Sequence, residues 1–269
     1  MLVQSDLDIL ENQSIYIIRE AYFNVKNVAM LWSMGKDSTV MLWLVRKAFM
    51  GKVPFPVIHI DTTFKIPKMI EYRDSKAKEW NLDLIVGKND EALKEGMNYK
   101  KGRLVCCEKL KTEGLQQIMK KYKFQCLLLG IRGDEEASRS KERIFSPRDQ
   151  EFEWLCKKQP PEIWDNFLCR VPKNGHLRAH PILRWTEIDV WRYIKRENIP
   201  VIDLYFSKNG RRYRSIGCEC CTSTIESDAS TIDDIIYELE HCNTSERSNR
   251  LQDQEEEYAM QKLRVRGYM

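Results

Sequence analysis

The sequence lacks several features that define large classes of proteins. No apolar run approaches the ~18 residues that a membrane-spanning helix needs, so we expect no association with a membrane. The 44 Lys and Arg residues nearly balance 40 Asp and Glu residues, and a net charge of +4 gives no surplus typical of nucleic-acid binding. Residues 1–22 are acidic and amphipathic, without the basic flank and cleavage site of a signal peptide. A cytoplasmic location is therefore expected.

The pattern of apolar residues predicts the fold class. Short apolar runs without helical spacing predict buried strands over residues 27–32, up to Asp61, over 82–86 and up to about Gly130. Helical spacing predicts helices over 7–22, from residue 37 or 38 to about 49, and over 68–80, 114–124, 186–198 and 230–242. Strands that alternate with helices predict a doubly wound, mostly parallel α/β sheet with a C-terminal extension of helix and loop.

The stretch Ser-Met-Gly-Lys-Asp-Ser, residues 33–38, joins the first predicted strand to a helix. Backbone N–H groups at such a corner bind phosphate, and the Ser33 and Ser38 hydroxyls and the Lys36 ammonium would add to the site. A plain turn uses the same residue types, and the spacing of a Walker A loop is absent. The first, second and fourth strands all end in polar residues, at the sheet edge where ligands bind, which favours the phosphate site.

Two further features fit an anion site at that edge. Arg132, Arg139 and Arg143 have offsets of seven and eleven residues, which would place them on one face of a helix. They either pair with the interleaved glutamates or bind oxyanions, and their position after a buried strand favours the second role. Asp61, at the end of the second strand, either binds a ribose or Mg²⁺ or caps a turn.

Several blocks together resemble the phosphoadenosine-phosphosulfate reductase family of the N-type ATP pyrophosphatase superfamily. SMGKDS is similar to that superfamily's pyrophosphate loop S-G-G-x-D-S, although Met34 replaces the first glycine. The likeness extends through PFPVIHIDTTFKIPKMIEYRD, LKTEGL, GIRGDEEASRSKERIFSPRD, HPILRWTEIDVWRYI and MQKLRVRGYM. A longer insertion that many such chains carry before their final loop is absent.

The resemblance implies adenylyl transfer from ATP, with Mg²⁺, to sulfate, which yields adenosine 5′-phosphosulfate and diphosphate. It also implies a GTPase regulatory subunit as partner, because formation of the mixed anhydride is uphill. The residues implied to bind ATP and diphosphate are Ser33, Gly35, Lys36, Asp37, Ser38 and Asp61. Those implied to be catalytic are Lys36, Arg132, Arg139 and Arg143. Sulfate needs no general base, so no catalytic histidine is expected.

Cysteine pairs form a second constellation. Cys106–Cys107 and Cys218-x-x-Cys221 resemble the [4Fe–4S] ligand set of adenosine-phosphosulfate reductases. The alternatives are a zinc site with the same ligands and reduced thiols that bind no metal. A reductase of this kind is the alternative function, but its attacking thiolate lies near the C-terminus, and no cysteine follows Cys242. A tRNA-thiolating enzyme and a non-catalytic nucleotide-binding subunit are less favoured.

The same patterns predict three regions. Residues 1–26 form an N-terminal helix, and residues 27–205 form the nucleotide-binding catalytic domain. Residues 206–269 contain the cysteine-rich loop, a helix and a charged tail.

Overall fold

A central sheet of six strands organises the chain, whose computed structural model describes residues 5–159, 161–242, 244–251 and 259–268. The strand order is β3-β2-β1-β4-β6-β5. Only β5 runs antiparallel to its neighbour in this sheet, and the other pairs are parallel. The strands are β1 Val28–Leu31, β2 Val57–Ile60, β3 Leu84–Gly87, β4 Cys126–Leu128, β5 Phe145–Arg148 and β6 His176–Ala179.

Helices cover both faces of the sheet. They are α1 Asp6–Asn24, α2 Lys36–Ala48, α3 Pro67–Glu79, α4 Asp90–Lys94, α5 Arg103–Cys107, α6 Gly114–Tyr122, α7 Glu187–Glu197, α8 Ile232–Glu240 and α9 Ala259–Val265. A π-helical segment, Glu108–Glu113, joins α5 to α6. A small hairpin of β7 Arg211–Arg212 and β8 Ile225–Glu226 lies outside the main sheet. In the described ranges, no helix is long and apolar enough to cross a membrane.

The two largest clusters of buried apolar side chains among the described residues lie one on each face of the sheet. Val28 and Met30 of β1 belong to the larger cluster, which also holds apolar side chains of α1, α2 and α7. The alternate residues Ala29 and Leu31 belong to the smaller cluster, beside Leu115 of α6. Because successive strand side chains point to opposite faces, a strand covered on both sides must be apolar throughout. The predicted doubly wound α/β fold is confirmed.

The caps predicted from sequence are correct for one helix and wrong for another. The predicted N-cap at Thr186 is confirmed, because its side chain accepts from the Asp189 N–H and Asp189 bonds back to the Thr186 N–H. The predicted cap of α2 at residue 37 or 38 is wrong, since the helix begins at Lys36 and its N-cap is Gly35. The Gly35 carbonyl already accepts from the Thr39 N–H at 3.0 Å, which places Asp37 and Ser38 inside the first turn.

The helix predicted for the arginine block is also wrong. Residues 133–141 form turns, in which the Arg139 and Ser140 N–H groups both donate to the Glu136 carbonyl. The Gly133 N–H donates to the Leu183 carbonyl at 2.8 Å, which ties the start of the block to another part of the chain. Without a helix, offsets of seven and eleven residues no longer place three arginines on one face.

The outer edge of β5 is covered by its own sequence neighbours. Pro147 lies within β5 and has no N–H group to offer. The Glu162 carboxylate accepts from the N–H groups of Ile144 and Phe145 at 3.0 and 3.1 Å. This edge therefore presents few unsatisfied donors.

Gly130, which follows β4, packs closely against the backbone at the start of α2. A Cβ atom at Gly130 would lie 2.8 Å from the Ser38 Cα and 3.0 Å from the Asp37 carbonyl oxygen. We expect Gly130→Ala to lower the free energy of unfolding by about 1–3 kcal/mol, because backbone atoms cannot yield without moving α2. The measurement is urea unfolding followed by circular dichroism.

The matched control is Gly114→Ala, at the start of α6. A Cβ atom there meets its nearest neighbour, Ile60 Cγ2, at an ordinary 3.5 Å. Alanine also favours the helix, so the free energy of unfolding should stay equal or rise. Equal effects of the two substitutions would show that close packing at Gly130 is unimportant.

Candidate active site

A cavity opens at the carboxyl ends of β1, β2 and β4. β1 lies between the other two: the chain runs from β1 through β2 to β3 on one side and then crosses to β4 on the other side of β1. Such a switch point leaves a crevice in which α/β proteins bind ligands. The loop of residues 33–38, here called the phosphate loop, forms one wall of the cavity, and Gly130 and Ile131 form another.

The phosphate loop is held by its own hydroxyl groups and by Tyr205. The Ser33 and Ser38 Oγ atoms are 3.0 Å apart, and the Gly35 N–H donates to Ser33 Oγ. The Lys36 N–H donates to the Tyr205 hydroxyl at 2.8 Å. Met34 has a φ of 63°, in the left-handed region, and its side chain is buried in the core. The loop thus has a defined shape that places the start of α2 against the cavity.

Lys36 and Arg132 meet at one buried carboxylate. Lys36 Nζ pairs with one oxygen of Glu246, and Arg132 Nη2 lies 2.5 Å from the other. Arg132 also pairs with Asp37 and with Asp134, and Lys36 Nζ lies 3.8 Å from Glu187. The side chains of Lys36 and Arg132 are 1% and 0% exposed, so each charge depends on these partners.

The two cations, Lys36 and Arg132, determine which of the nearby carboxyl groups is ionised. Burial alone opposes ionisation of Glu246, but Lys36 and Arg132 hold its pKa well below the usual range. Burial raises the pKa of Glu187, and the nearby Glu246 carboxylate raises it further. Glu246 is therefore the carboxylate that remains charged between the two cations.

The structure separates the two other arginines of the block. Arg139 lines the cavity, pairs with Glu135 and has an Nε atom without a hydrogen-bond partner among the described residues. Arg143 is exposed and is not one of the cavity-lining residues, while its carbonyl lies 2.7 Å from His180 Nδ1. The expectation that Arg143 shares the site is corrected, because the turns of the block direct it to the surface.

Asp61 forms a turn at the end of β2. Its Oδ1 accepts from the Thr63 N–H at 2.8 Å, and Lys88 Nζ lies 3.2 Å from Oδ2. Burial would raise the pKa of Asp61, but these two partners lower it. The residues lining the cavity do not include Asp61. Asp61 thus has the geometry expected of the second alternative, in which it caps a turn.

A further part of the cavity wall, here called the basic wall, is formed by Lys65, Lys111 and Arg250. Lys65 and Lys111 line it, and burial lowers the pKa of Lys65. Arg250 lies there too and donates to the Thr222 hydroxyl and the Ile216 carbonyl. His59, in β2, has a pKa lowered to about 3 by burial first and by Lys65 next, so it is neutral at neutral pH.

The two cysteine pairs lie close to this basic wall. Burial raises the pKa of Cys106 to about 12, and the sulfurs of Cys107, Cys218 and Cys221 add to the shift. Burial opposes ionisation of Cys218 as well, yet Lys111 and Lys65 lower its pKa to about 7. The fold therefore brings together two pairs of thiols that are more than a hundred positions apart along the chain.

The four thiols do not stand in metal-ligand geometry. Among the described residues, no three His, Cys, Asp or Glu side chains are grouped so that they could hold a metal ion. Thr62 Oγ1 lies 3.1 Å from Cys218 Sγ, and the Cys220 and Cys221 sulfurs are 3.6 Å apart. In chemistry and charge the donor set suits a metal cluster, but binding one would require the two pairs to draw together.

Sequence analysis missed several residues of the cavity. Those that line it are Lys65, Lys111, Tyr205, Arg247 and Arg250. Glu187 and Glu246, which were missed as well, lie beside Lys36 without being among the lining residues. Lys65 follows the second strand closely and could have been found by its position. Glu246 gives no local signal, because its partner Lys36 is 210 positions away.

Comparison with solved structures gives the same fold. Phosphoadenylyl-sulfate (PAPS) reductase from Candida auris has a TM-score of 0.55 at 18% identity and covers 84% of this chain and 98% of its own. FMN adenylyltransferase from Candida glabrata in complex with ATP has a TM-score of 0.58 at 16% identity, over 82% of this chain and 66% of its own. At these identities the likeness is one of fold alone.

Comparison of sequences is more specific. The phosphoadenosine phosphosulfate reductase domain family matches residues 27–224. "Sulfate adenylyltransferase subunit 2" of Sulfurimonas denitrificans is 39% identical over 96% of both chains. The protein of that name from Parabacteroides distasonis is 41% identical over 98% of both chains. The chain thus belongs to the phosphoadenosine phosphosulfate reductase domain family and, within it, groups with the sulfate adenylyltransferase subunit 2 proteins.

Proposed function

We propose that the chain is the catalytic subunit of a sulfate adenylyltransferase. The observation that carries the proposal is that the phosphate loop and Lys36 line the cavity at the switch point of the sheet, with the buried Arg132 tied to Lys36 through Glu246, in a chain of this family. One sulfate oxygen attacks the α-phosphorus of ATP. The new P–O bond forms as the bond between the α-phosphorus and the bridging oxygen breaks, and diphosphate leaves with that oxygen.

The phosphate loop and Lys36 are suited to the leaving diphosphate. The N-terminus of α2 and the Ser33 and Ser38 hydroxyls offer donors, and Lys36 supplies a positive charge. Asp37 forms an ion pair with Arg132, so we assign Asp37 the role of positioning that guanidinium group. Mg²⁺ would accompany the triphosphate as part of the substrate. Catalysis of this kind comes from positioning and charge neutralisation, and sulfate needs no general base.

Arg139 is suited to the incoming sulfate. It lines the same cavity as the phosphate loop, and its Nε donor is buried and available. A guanidinium group presents parallel donors that match two oxygens of a tetrahedral oxyanion. An in-line displacement needs Arg139 and the loop to bind on the two sides of the α-phosphorus, and both line the same cavity.

The energetics of the reaction and the names of the relatives support a partner subunit. Those relatives are called subunit 2, so another subunit belongs to their assembly. The phosphate–sulfate anhydride is high in energy, so its formation needs a coupled reaction. We propose that the partner is a GTPase regulatory subunit whose GTP hydrolysis drives it.

We further propose that Cys106, Cys107, Cys218 and Cys221 hold a [4Fe–4S] cluster. Four thiolates from two pairs are the usual ligand set, and the bound cluster would carry negative charge. Lys65 and Lys111 are buried or half-buried beside these sulfurs and would balance that charge. When bound, the cluster would supply a cross-link between α5 and the loop that carries Cys218.

The activity assay combines the purified chain with the GTPase partner, ATP, Mg²⁺ and labelled sulfate. We expect adenosine 5′-phosphosulfate and diphosphate in equal amounts, at a rate that GTP increases. Chromatography of the labelled product measures the first, and a coupled diphosphate assay measures the second. Thiol-dependent release of sulfite from adenosine 5′-phosphosulfate, without synthesis from ATP, would assign the chain to the reductases.

Arg139→Lys tests the sulfate contact while keeping a positive charge opposite the buried Glu135. We expect kcat/KM for sulfate to fall about 10²- to 10³-fold, because lysine lacks the paired donors of a guanidinium. The midpoint of thermal unfolding should change little. Arg143→Lys, in the same segment but exposed, should keep nearly wild-type kinetics. Equal kinetics of the two variants would remove Arg139 from the site.

The cluster is tested without reference to activity. Anaerobically purified protein should contain about four iron atoms per chain and absorb at about 400 nm. Cys221→Ser should lose most of the iron, whereas Cys156→Ser, which changes an exposed cysteine, should not. Colourless wild-type protein that stays free of iron after anaerobic reconstitution would contradict the cluster.

A further inference from the structure

A short segment of the C-terminal region crosses the cavity. Residues 244–251, here called the strap, include the 3₁₀ turn Glu246–Asn249. Arg247 and Arg250 of the strap line the cavity, and Glu246 is buried at the phosphate loop. The strap therefore lies over the same groups to which we assign the diphosphate.

The Glu246 carboxylate has the contacts that a phosphate group would make. One oxygen pairs with Lys36 and the other with Arg132, so a single anion bridges the two cations. Carboxylate and phosphate oxygens accept from ammonium and guanidinium groups in the same way. Glu246 comes from a segment 210 positions away from Lys36 along the chain, so no local constraint of the loop imposes this contact.

A phosphate group and the Glu246 carboxylate cannot share these cations. Asp37, Asp134 and Glu187 already surround Lys36 and Arg132, so the local charge is not positive while Glu246 is in place. A further anion would meet like charges in a buried environment, where repulsion is strong. Removal of Glu246 would free one contact on each cation.

The ends of the strap are tied to the loop that precedes β8. Arg214 donates to the carbonyl and hydroxyl oxygens of Thr244 at 3.0 and 3.1 Å. Arg250 donates to Thr222 Oγ1 at 2.9 Å and to the Ile216 carbonyl at 2.7 Å. The ties lie on both sides of Glu246, so the middle of the strap can leave the cations while its ends stay attached.

We propose that the strap is an autoinhibitory contact, in which Glu246 occupies the diphosphate position of the empty enzyme and is displaced by the phosphates of ATP. The proposal rests on the proposed function, which assigns the diphosphate to the phosphate loop and Lys36, and it adds Arg132 to the groups that the diphosphate contacts. Because its ends remain tied, the strap returns when diphosphate leaves, and Glu246 competes with the rebinding of product. The strap thus lowers the affinity of the site for diphosphate and thereby favours its release.

The test measures binding of inorganic pyrophosphate and of a non-hydrolysable ATP analogue by isothermal titration calorimetry. Glu246→Gln keeps the shape of the side chain and removes its charge. We expect pyrophosphate to bind this variant about tenfold more tightly than wild type. In the variant a smaller fraction of the protein is in the closed state, in which residue 246 occupies Lys36 and Arg132. Glu240→Gln, an exposed change at the end of α8, should bind pyrophosphate like wild type.

A Lys36→Met variant separates the strap from the site itself. Loss of pyrophosphate binding in Lys36→Met, together with unchanged or weaker binding in Glu246→Gln, would overturn the strap and leave the proposed function standing. Undiminished pyrophosphate binding in Lys36→Met would overturn the assignment of the diphosphate site and the strap with it.

Hydrogen exchange provides a measurement that needs no variant. In the wild-type protein the Arg250 N–H donates to the Arg247 carbonyl at 2.9 Å, which protects it in the closed strap. Pyrophosphate should accelerate exchange in the peptide that contains residues 244–251. Slower exchange with pyrophosphate would mean that the strap closes over the ligand and is not displaced by it, which contradicts the proposal.

Discussion

A buried network of ion pairs around Lys36 and Arg132 governs the arrangement of the site. Taking two cations out of water is costly, so both must have anionic partners, and the chain draws these from the start of α2, the arginine block and the strap. Segments distant in sequence are joined in this way at one point. In the proposed role of the strap, the same requirement means that a phosphate group reaches these cations when Glu246 leaves them.

A second set of charges lies at the basic wall of the cavity and is organised differently. There the sulfurs of the cysteine pairs stand beside Lys65 and Lys111. Positive charge beside sulfur favours the thiolate, as the lowered pKa of Cys218 indicates. The cavity thus has one wall in which cations are neutralised by the fold and another in which their neutralisation depends on the state of the thiols.

The fold was largely predictable from sequence, whereas the site was predictable only in part. Runs such as residues 27–32 are apolar throughout because β1 is covered on both faces, and this pattern is visible without knowledge of neighbours. The phosphate loop was found because its residue types lie at a strand–helix junction. The arginine block misled because its charge spacing suits a helix, while its conformation is set by buried contacts with distant segments. No pattern along the chain announces a partner such as Glu246.

The covered edge of β5 has a consequence for behaviour at high concentration. An open sheet with a free flank tends to recruit an extended segment from another molecule, which leads to filaments or precipitate. Pro147 and Glu162 remove the donors that such recruitment needs on this flank. Self-association through continuous sheets would therefore have to begin at β3, on the far side of the molecule.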